Sequence, residues 1–167
     1  MKIRTVSIAL LLFLVILPSL LLWRAHNSLK QYEGLRPGDT LPLARLQTPD
    51  GQPVETGSWF GTPTVLIVFN PDCQPCRSEI RNLASIAPRF PDLRIALLST
   101  RTSPGSLQAA FPVYVDRDGA FLNRSQRLVT PALYWIGASG KIRYARLGQR
   151  DATEDEELFR KLQDVEK

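Results

Sequence analysis

The sequence predicts an α/β domain in which helices cover both faces of a central mixed β-sheet. The apolar, β-branched run Thr64–Phe69 is typical of a strand buried on both faces, and Leu93–Leu98 indicates a second buried strand. Between them, apolar residues recur at helical spacing until Pro88 ends the pattern. Strands that alternate with helices in this way favour a sheet packed between helix layers.

Size and charge exclude several classes of protein. The chain has 167 residues, which is enough for one ordinary domain and a short extension. Apolar residues make up 44% of the chain, so a largely disordered protein is excluded. The net charge is +5, but the basic residues are dispersed. This pattern indicates a solvated surface, and no nucleic-acid partner is expected.

An apolar run occupies Val6–Trp23, where 15 of 18 residues are apolar. A helix of this length would span about 27 Å, close to the thickness of a bilayer's hydrocarbon core. The run is long for a cleaved signal peptide, and no A-x-A pattern follows it. We therefore predict an uncleaved signal anchor over residues 1–26, a polar tether over 27–36 and a folded domain over 37–167. A cleaved signal peptide is the alternative.

The charges that flank this run barely distinguish its two orientations. Lys2 and Arg4 precede it, whereas Arg24, Lys30 and Arg36 follow it. The short N-terminal flank favours leaving that end in the cytoplasm. We expect a single-pass protein of a bacterial inner membrane, with its domain on the periplasmic side.

The other elements are predicted from turn residues and from short periodic segments. Asp50-Gly51 and Ala138-Ser139-Gly140 indicate turns of two hairpins. Thr153 and Glu156 form a capping-box pattern ahead of an apolar stripe, which predicts a C-terminal helix docked on the sheet. The predicted segments are hairpin strands Leu41–Gln47 and Pro53–Glu55, helix Pro104–Phe111, strand Val113–Val115, helix Ala120–Arg127, and hairpin strands Ala132–Ile136 and Lys141–Leu147.

The two cysteines of the chain, Cys73 and Cys76, lie where the turn after the first buried strand opens a helix. A thiol at a helix N-terminus faces unpaired N–H groups and the positive end of the dipole, which lower its pKa. The second thiol lies one turn away, so the pair can attack a foreign disulfide and resolve the mixed intermediate. A purely structural disulfide across two intervening residues would stabilise the fold weakly, because stabilisation grows with loop length. Half of a metal site is a second alternative, but partner ligands are missing.

Several motifs occur in a characteristic order: Pro37-Gly38-Asp39, Asp50-Gly51, the run Gly61–Asn70, the Cys-Gln-Pro-Cys turn, Glu79, Asp116-Arg-Asp-Gly119 and Val129-Thr130-Pro131 before a strand. Over about residues 35–165 the chain resembles the thioredoxin superfamily, and within it the membrane-anchored TlpA/ResA-like thiol–disulfide oxidoreductases. The resemblance implies a thioredoxin-like fold with an added N-terminal hairpin and no cofactor.

The resemblance also implies roles for individual residues. Cys73 matches the nucleophile and Cys76 the resolving thiol. Pro131 matches a cis-proline that lies against the sulfurs, and Thr130 would offer its backbone to an extended substrate. Pro75 belongs to the first helical turn, where its missing N–H costs little. Together with Thr130 and Pro131, it is a candidate substrate-binding residue.

Other residues modulate this pattern or depart from it. Glu79 matches an acid that tunes or shuttles a proton, with a solvated helix glutamate as the alternative. Asp72 replaces the tryptophan that is usual in the family; we expect it to cap the helix and to oppose thiolate formation at Cys73. Arg77 would offset part of this charge. Ile67 stands where cytosolic thioredoxins bury an acid.

We expect an extracytoplasmic enzyme that reduces protein disulfides and takes electrons from a membrane thiol reductase; apocytochrome c is one candidate substrate. A thiol peroxidase of the peroxiredoxin type is an alternative, although its Pro-x-x-x-Thr-x-x-Cys motif meets Leu66 and Asn70 here. A copper-delivery protein of the Sco type is another alternative. It needs three residues between its cysteines and a later histidine, whereas this chain has two residues between them. Its histidine, His26, is interpreted as an interfacial residue. A redox-inactive thioredoxin-like binding domain is the last alternative.

Overall fold

The structure is a computed structural model that describes residues 13–24, 34–104, 109–125 and 129–166. It divides the chain into two units, one up to Gly34 and one over Leu35–Lys167. In the first unit, residues 13–24 form a helix, α1. None of the helices within the described ranges has the length and apolar character needed to cross a bilayer. Residues 1–12 and 25–26 of the predicted anchor and residues 27–33 of the predicted tether lie outside those ranges.

A seven-stranded mixed sheet forms the centre of the second unit. Its strands are β1 (Arg45–Gln47), β2 (Pro53–Glu55), β3 (Thr64–Phe69), β4 (Arg94–Ser99), β5 (Val113–Val115), β6 (Ala132–Ile136) and β7 (Ile142–Leu147). Their order across the sheet is β2-β1-β5-β4-β3-β6-β7. Because β3 pairs in parallel with β4 and antiparallel with β6, the strand that leads to the cysteines is central.

Three helices accompany the sheet, together with short 3-10 turns at Thr56–Trp59 and Ala87–Arg89. The helices are α2 (Gln74–Ile86), α3 (Ala120–Ser125) and α4 (Ala152–Glu166).

Two apolar clusters lie on opposite sides of the sheet. Alternate side chains of β3 point to opposite faces, so Leu66 and Val68 join the cluster that contains Phe121 of α3. Ile67 lies on the other face, in the cluster that contains Phe159 of α4 and several side chains of α2. Helices therefore cover both faces, which confirms the predicted fold class.

The central strands agree closely with the predictions. All six side chains of β3 are buried, as expected for a strand covered on both faces, and β5 and β6 have the predicted bounds. β4 is shifted by one residue, since it begins at Arg94 and ends at Ser99.

The first hairpin strand is shorter than predicted. Leu41 lies outside β1, and its N–H donates to the carbonyl of Gly140, 2.8 Å away. The buried hydroxyl of Thr56 donates to the carbonyl of Pro42 and accepts the N–H of Ala44. The Thr56 side chain thus takes the place of the main-chain partners that Pro42 and Ala44 would have in a longer β1.

One helix prediction requires correction. The predicted helix over Pro104–Phe111 is not helical at Pro104 or from residue 109 onward, while residues 105–108 lie outside the described ranges. The predicted helix Ala120–Arg127 is present as α3 from Ala120 to Ser125, and its residues 126–127 lie outside those ranges.

The predicted capping box of the C-terminal helix is wrong. α4 begins at Ala152, so Thr153 lies inside it. The helix is capped by Asp151, whose Oδ1 accepts the N–H of Glu154 at 2.9 Å. An aspartate at this position satisfies an N–H group that has no partner within the helix.

Candidate active site

Cys73 is the N-cap residue of α2. A tight turn after β3 brings it there, and its N–H donates to the carbonyl of Asn70, 3.1 Å away. The backbone of Cys73 is extended, and its sulfur accepts the N–H of Cys76 at 3.2 Å. The sulfur therefore occupies the place that a capping oxygen takes in most helices, where N–H groups and the helix dipole stabilise negative charge.

The two cysteines form a disulfide, and their Cα atoms are 5.3 Å apart. Their environments differ: Cys73 is half-buried, whereas the side chain of Cys76 is completely buried in the cluster beneath α2. A foreign disulfide can therefore reach the sulfur of Cys73 and not that of Cys76. The predicted order of action, with Cys73 first and Cys76 second, requires an asymmetry of this kind.

Pro131 follows a cis peptide bond, as the resemblance implies. The carbonyl oxygen of Thr130 lies 3.8 Å from the sulfur of Cys73. Pairing of β6 with β3 brings these segments together, since Ala132 lies opposite Val68 near the end of β3. The structure thus brings two predicted site residues, Thr130 and the half-buried Cys73, into contact.

Pro75 and Arg77 occupy the first turns of α2. Pro75 is exposed beside the disulfide, so it is available to a docked substrate. Arg77 does not form an ion pair with Asp72. Instead, its guanidinium donates two hydrogen bonds, of 3.1 and 2.9 Å, to the carbonyl of Pro71. Arg77 thereby ties the helix to the turn before Cys73.

Asp72 does not cap the helix, because Cys73 itself is the cap. The carboxylate of Asp72 is exposed and forms an ion pair with Arg101, at 3.2 Å. Arg101, which the sequence did not single out, follows β4 and reaches across to the turn that holds the cysteines. The negative charge beside Cys73 therefore has a cationic partner, but the pair is solvent-exposed and its interaction is weak.

Glu79 is buried and not solvated, so the alternative of a solvated helix glutamate is wrong. One carboxylate oxygen, Oε1, accepts a hydrogen bond from the guanidinium of Arg146. The other, Oε2, accepts the N–H of Arg150 at 3.1 Å. Glu79 comes three residues after Cys76 on α2, so the two side chains are neighbours on one face of the helix.

Arg146 also binds a second buried acid, Asp155 of α4. Its Nη2 atom donates to both carboxylate oxygens of Asp155, at 2.7 and 2.9 Å. We refer to Glu79, Arg146 and Asp155 as the buried ion cluster. It joins α2, β7 and α4 on the face of the sheet that carries Cys76.

Electrostatics in the buried ion cluster favour protonation of its acids. Burial raises the pKa of Glu79, against the lowering effects of the Arg146 guanidinium and the Arg150 N–H. Burial also raises the pKa of Asp155, again opposed by Arg146. Desolvation therefore outweighs the single cation, as expected where two carboxyl groups share one partner.

Sequence reasoning missed Arg146 and Asp155 as site residues. One signal was available: alternation in β7 places Arg146 on the face opposite Ala145 and Leu147. The structure pairs Arg146 with Leu133, whose side chain belongs to the cluster around Cys76. An arginine on an inward face needs an acidic partner, but the sequence does not say which one.

The described part of the chain contains no group of three or more His, Cys, Asp or Glu side chains arranged to hold a metal ion. His26 lies outside the described residues.

Comparisons with known proteins identify the fold. No protein-family model and no curated protein matches the chain significantly. Among solved structures, it is similar to a candidate thiol:disulfide interchange protein DsbE of Chlorobium tepidum, with a TM-score of 0.68 and 19% identity over 80% of this chain and 99% of that one. A secreted disulfide oxidoreductase of Mycobacterium tuberculosis, homologous to E. coli DsbE, gives a TM-score of 0.60 and 24% identity over 68% and 91%.

A thiol peroxidase of Chromobacterium violaceum is also similar, with a TM-score of 0.65 and 16% identity over 80% of this chain and 91% of that one. At these identities the matches define the fold and not the reaction. The chain thus has the thioredoxin-like fold, and it carries a Cys-x-x-Cys disulfide at the start of α2. Where the peroxidase motif Pro-x-x-x-Thr-x-x-Cys requires a proline and a threonine, this chain has Leu66, which is buried in β3, and Asn70.

Proposed function

We propose that this protein is an extracytoplasmic thiol–disulfide oxidoreductase that reduces disulfides of substrate proteins. The observation that carries the proposal is the unequal exposure of the two cysteines, with Cys73 reachable beside the Thr130 carbonyl and Cys76 buried behind it. Such a pair suits a two-step exchange in which one thiol meets the substrate and the other is reserved for resolution.

The proposed reaction starts from the reduced pair. The thiolate of Cys73 attacks one sulfur of the substrate disulfide, which forms a mixed disulfide and releases the first substrate thiolate. Cys76 then loses its proton and attacks the sulfur of Cys73, which releases the second substrate thiolate. Two electrons pass to the substrate, and Cys73 and Cys76 end as the disulfide present in the structure. A dithiol donor returns the pair to its reduced form.

Partners follow from this chemistry. The donor in the cell would be a membrane thiol reductase, and the substrate an extended segment that carries a disulfide. Thr130 and Pro131 would contact that segment, because the Thr130 carbonyl lies 3.8 Å from the sulfur of Cys73 and Pro131 follows it directly. Apocytochrome c, with its paired cysteines, remains one candidate substrate.

Replacing Cys73 by alanine should abolish catalysis of insulin reduction with dithiothreitol as donor, because no other sulfur can reach the substrate. The full-length chain in non-ionic detergent is compared with C73A by following insulin precipitation. Gln74→Ala, an exposed neighbour in the same turn, is the matched control and should keep most of the activity. Equal rates for the wild type and C73A would rule out the proposed reaction.

We further propose that residues 1–26 anchor the protein in the inner membrane, with the domain outside the cytoplasm. The support is the length and apolar character of Val6–Trp23. The full-length chain should sediment with membranes, and protease added to intact spheroplasts should digest the domain. Recovery of a soluble form that begins near residue 25 would contradict the anchor. Protection in spheroplasts, lost on lysis, would contradict the orientation.

A further inference from the structure

The buried ion cluster holds two acids and one base. Glu79 and Asp155 have no side-chain exposure, and Arg146 has 6%. One guanidinium neutralises one carboxylate, so full ionisation would leave a net negative charge away from water. An uncompensated buried charge is strongly unfavourable, and a carboxyl group in that position retains its proton instead.

Few other groups can supply the missing compensation. In the segment after β7, the main-chain N–H of Arg150 donates a hydrogen bond to Glu79. The charge of the Arg150 side chain also lowers the pKa of Asp155. The Arg150 side chain lies near the surface and pairs with Glu154, at 3.9 Å. From β7, Tyr144 packs against the same side of the sheet as Arg146. None of these groups places a second cation between the two carboxyl groups.

The cluster also lies next to the resolving thiol. Cys76 and Glu79 are separated by three residues on α2, and both are buried beneath it. Arg146 approaches from β7, opposite Leu133, in the apolar cluster that includes Cys76. Because Cys76 has no exposed surface, its proton cannot pass directly to bulk water and needs an acceptor inside the protein.

We propose that Glu79 and Asp155, which both bind the Arg146 guanidinium, retain one proton between them, and that Asp155 thereby sets the pH above which Glu79 accepts the proton of Cys76. Asp155 is then a positioning residue, which acts on the reaction through Glu79. The inference rests on the proposed dithiol chemistry of Cys73 and Cys76 and adds a control on its second step.

The second step can be isolated with a small reagent. The reduced full-length chain, in detergent, is mixed with one equivalent of an aromatic nitrothiobenzoate disulfide. Cys73 attacks it and releases one coloured thiolate. Cys76 then transfers its proton to Glu79 and attacks the Cys73 sulfur, which closes the disulfide and releases the second coloured thiolate. The rate of this second release, followed over a range of pH, reports the resolution step.

Asp155→Asn should shift the acid limb of this pH profile to lower pH by about one unit, because the neutral amide no longer competes with Glu79 for a negative charge. Glu157→Gln removes the same charge from an exposed position of α4 and should leave the limb in place. Glu79→Gln should slow the second release about 100-fold, as expected for the loss of a proton acceptor, and leave the first release nearly unchanged.

The carboxyl ¹³C signals of the wild-type disulfide form give a second measurement, which needs neither activity nor a substitution. One carboxyl of the buried pair should stay protonated at a pH where exposed carboxyl groups are ionised. Ionisation of both buried carboxyl groups at the pH where exposed carboxyl groups ionise would overturn the inference. Identical pH profiles for D155N and E157Q would also overturn it. Either result would leave the proposed function intact. If no second thiolate is released at all, the proposed function fails, and the ¹³C titration alone decides whether the proton is shared.

Discussion

Replacing Arg146 by methionine should lower the free energy of unfolding by about 3–5 kcal/mol near neutral pH, since it removes the guanidinium that binds both buried carboxyl groups. Methionine fills much of the space of the arginine stem, so the cost reflects the uncompensated charge of Glu79 and Asp155 more than a cavity. Denaturant unfolding of the full-length chain, monitored by the fluorescence of its tryptophans, measures the change.

The loss should shrink as the pH falls. Burial raises the pKa of both Glu79 and Asp155 in the folded protein, and Arg146 opposes that rise. Without Arg146 the folded-state values move further above the unfolded ones, so the folded protein binds more protons than the unfolded chain. Stability is then fully present below the ordinary carboxyl range and is lost as the pH rises through the raised folded values. R146M should therefore be more stable at about pH 5 than at about pH 8.

Arg143→Met provides the matched control, because Arg143 lies on the same strand with its side chain exposed. A surface substitution of this kind should change stability by no more than about 0.5 kcal/mol at either pH. If R146M and R143M lose equal stability, and neither loss depends on pH, Arg146 does not compensate the charge of the buried carboxyl groups as argued here.

Local composition was sufficient for the centre of the fold. Every side chain of Thr64–Phe69 is buried. The continuous apolar run therefore predicts β3 correctly, because neither face of this strand contacts solvent and no alternation with polar residues is expected. Pro71 and Asp72 lie in the turn that follows and Pro75 lies in the first helical turn, and proline and aspartate at such positions favour a helix start there. The position of Cys73 and Cys76 at the N-terminus of α2 could therefore be predicted without knowledge of the topology.

Contacts between distant segments could not be predicted in this way. Asp72 and Arg101 meet because β3 and β4 run in parallel, with Phe69 opposite Ser99 at the ends of both strands. The residues that follow these ends are thereby brought to the same edge of the sheet. The sequence showed Asp72 and suggested Arg77 as its partner, since Arg77 is near in the chain; the actual partner is near only in space.

The buried ion cluster illustrates the same limit. Glu79 was identified through the family resemblance, but its surroundings depend on Arg146 in β7 and Asp155 in α4. Cytosolic thioredoxins bury an acid where this chain has Ile67, so the acid proposed here to serve Cys76 lies on α2 instead. Which charge opposes that acid is decided by the docking of α4, and no local pattern encodes it.

The fold by itself does not choose between reactions, because an oxidoreductase and a thiol peroxidase are both among its structural neighbours. The chemistry of the second cysteine does distinguish them. In disulfide exchange the buried Cys76 must attack Cys73 to release a bound substrate. In a peroxidase, the Cys73 thiolate would attack a peroxide, and no protein substrate would become linked to its sulfur.

If the proposed reaction holds, replacing Cys76 by alanine should leave most of the protein with a substrate linked to Cys73, where the wild type shows only a trace. The first attack needs only the accessible thiol of the half-buried Cys73, whereas release needs a thiol that the variant lacks. Incubation of the reduced variant with a disulfide-containing protein such as insulin, followed by alkylation, non-reducing electrophoresis and mass spectrometry, measures the trapped fraction and identifies the linked cysteine. Cys73→Ala is the control and should trap nothing, because the remaining Cys76 has no exposed surface. Trapping by C73A, or release from C76A as fast as from the wild type, would show that the two cysteines do not have the proposed order of action.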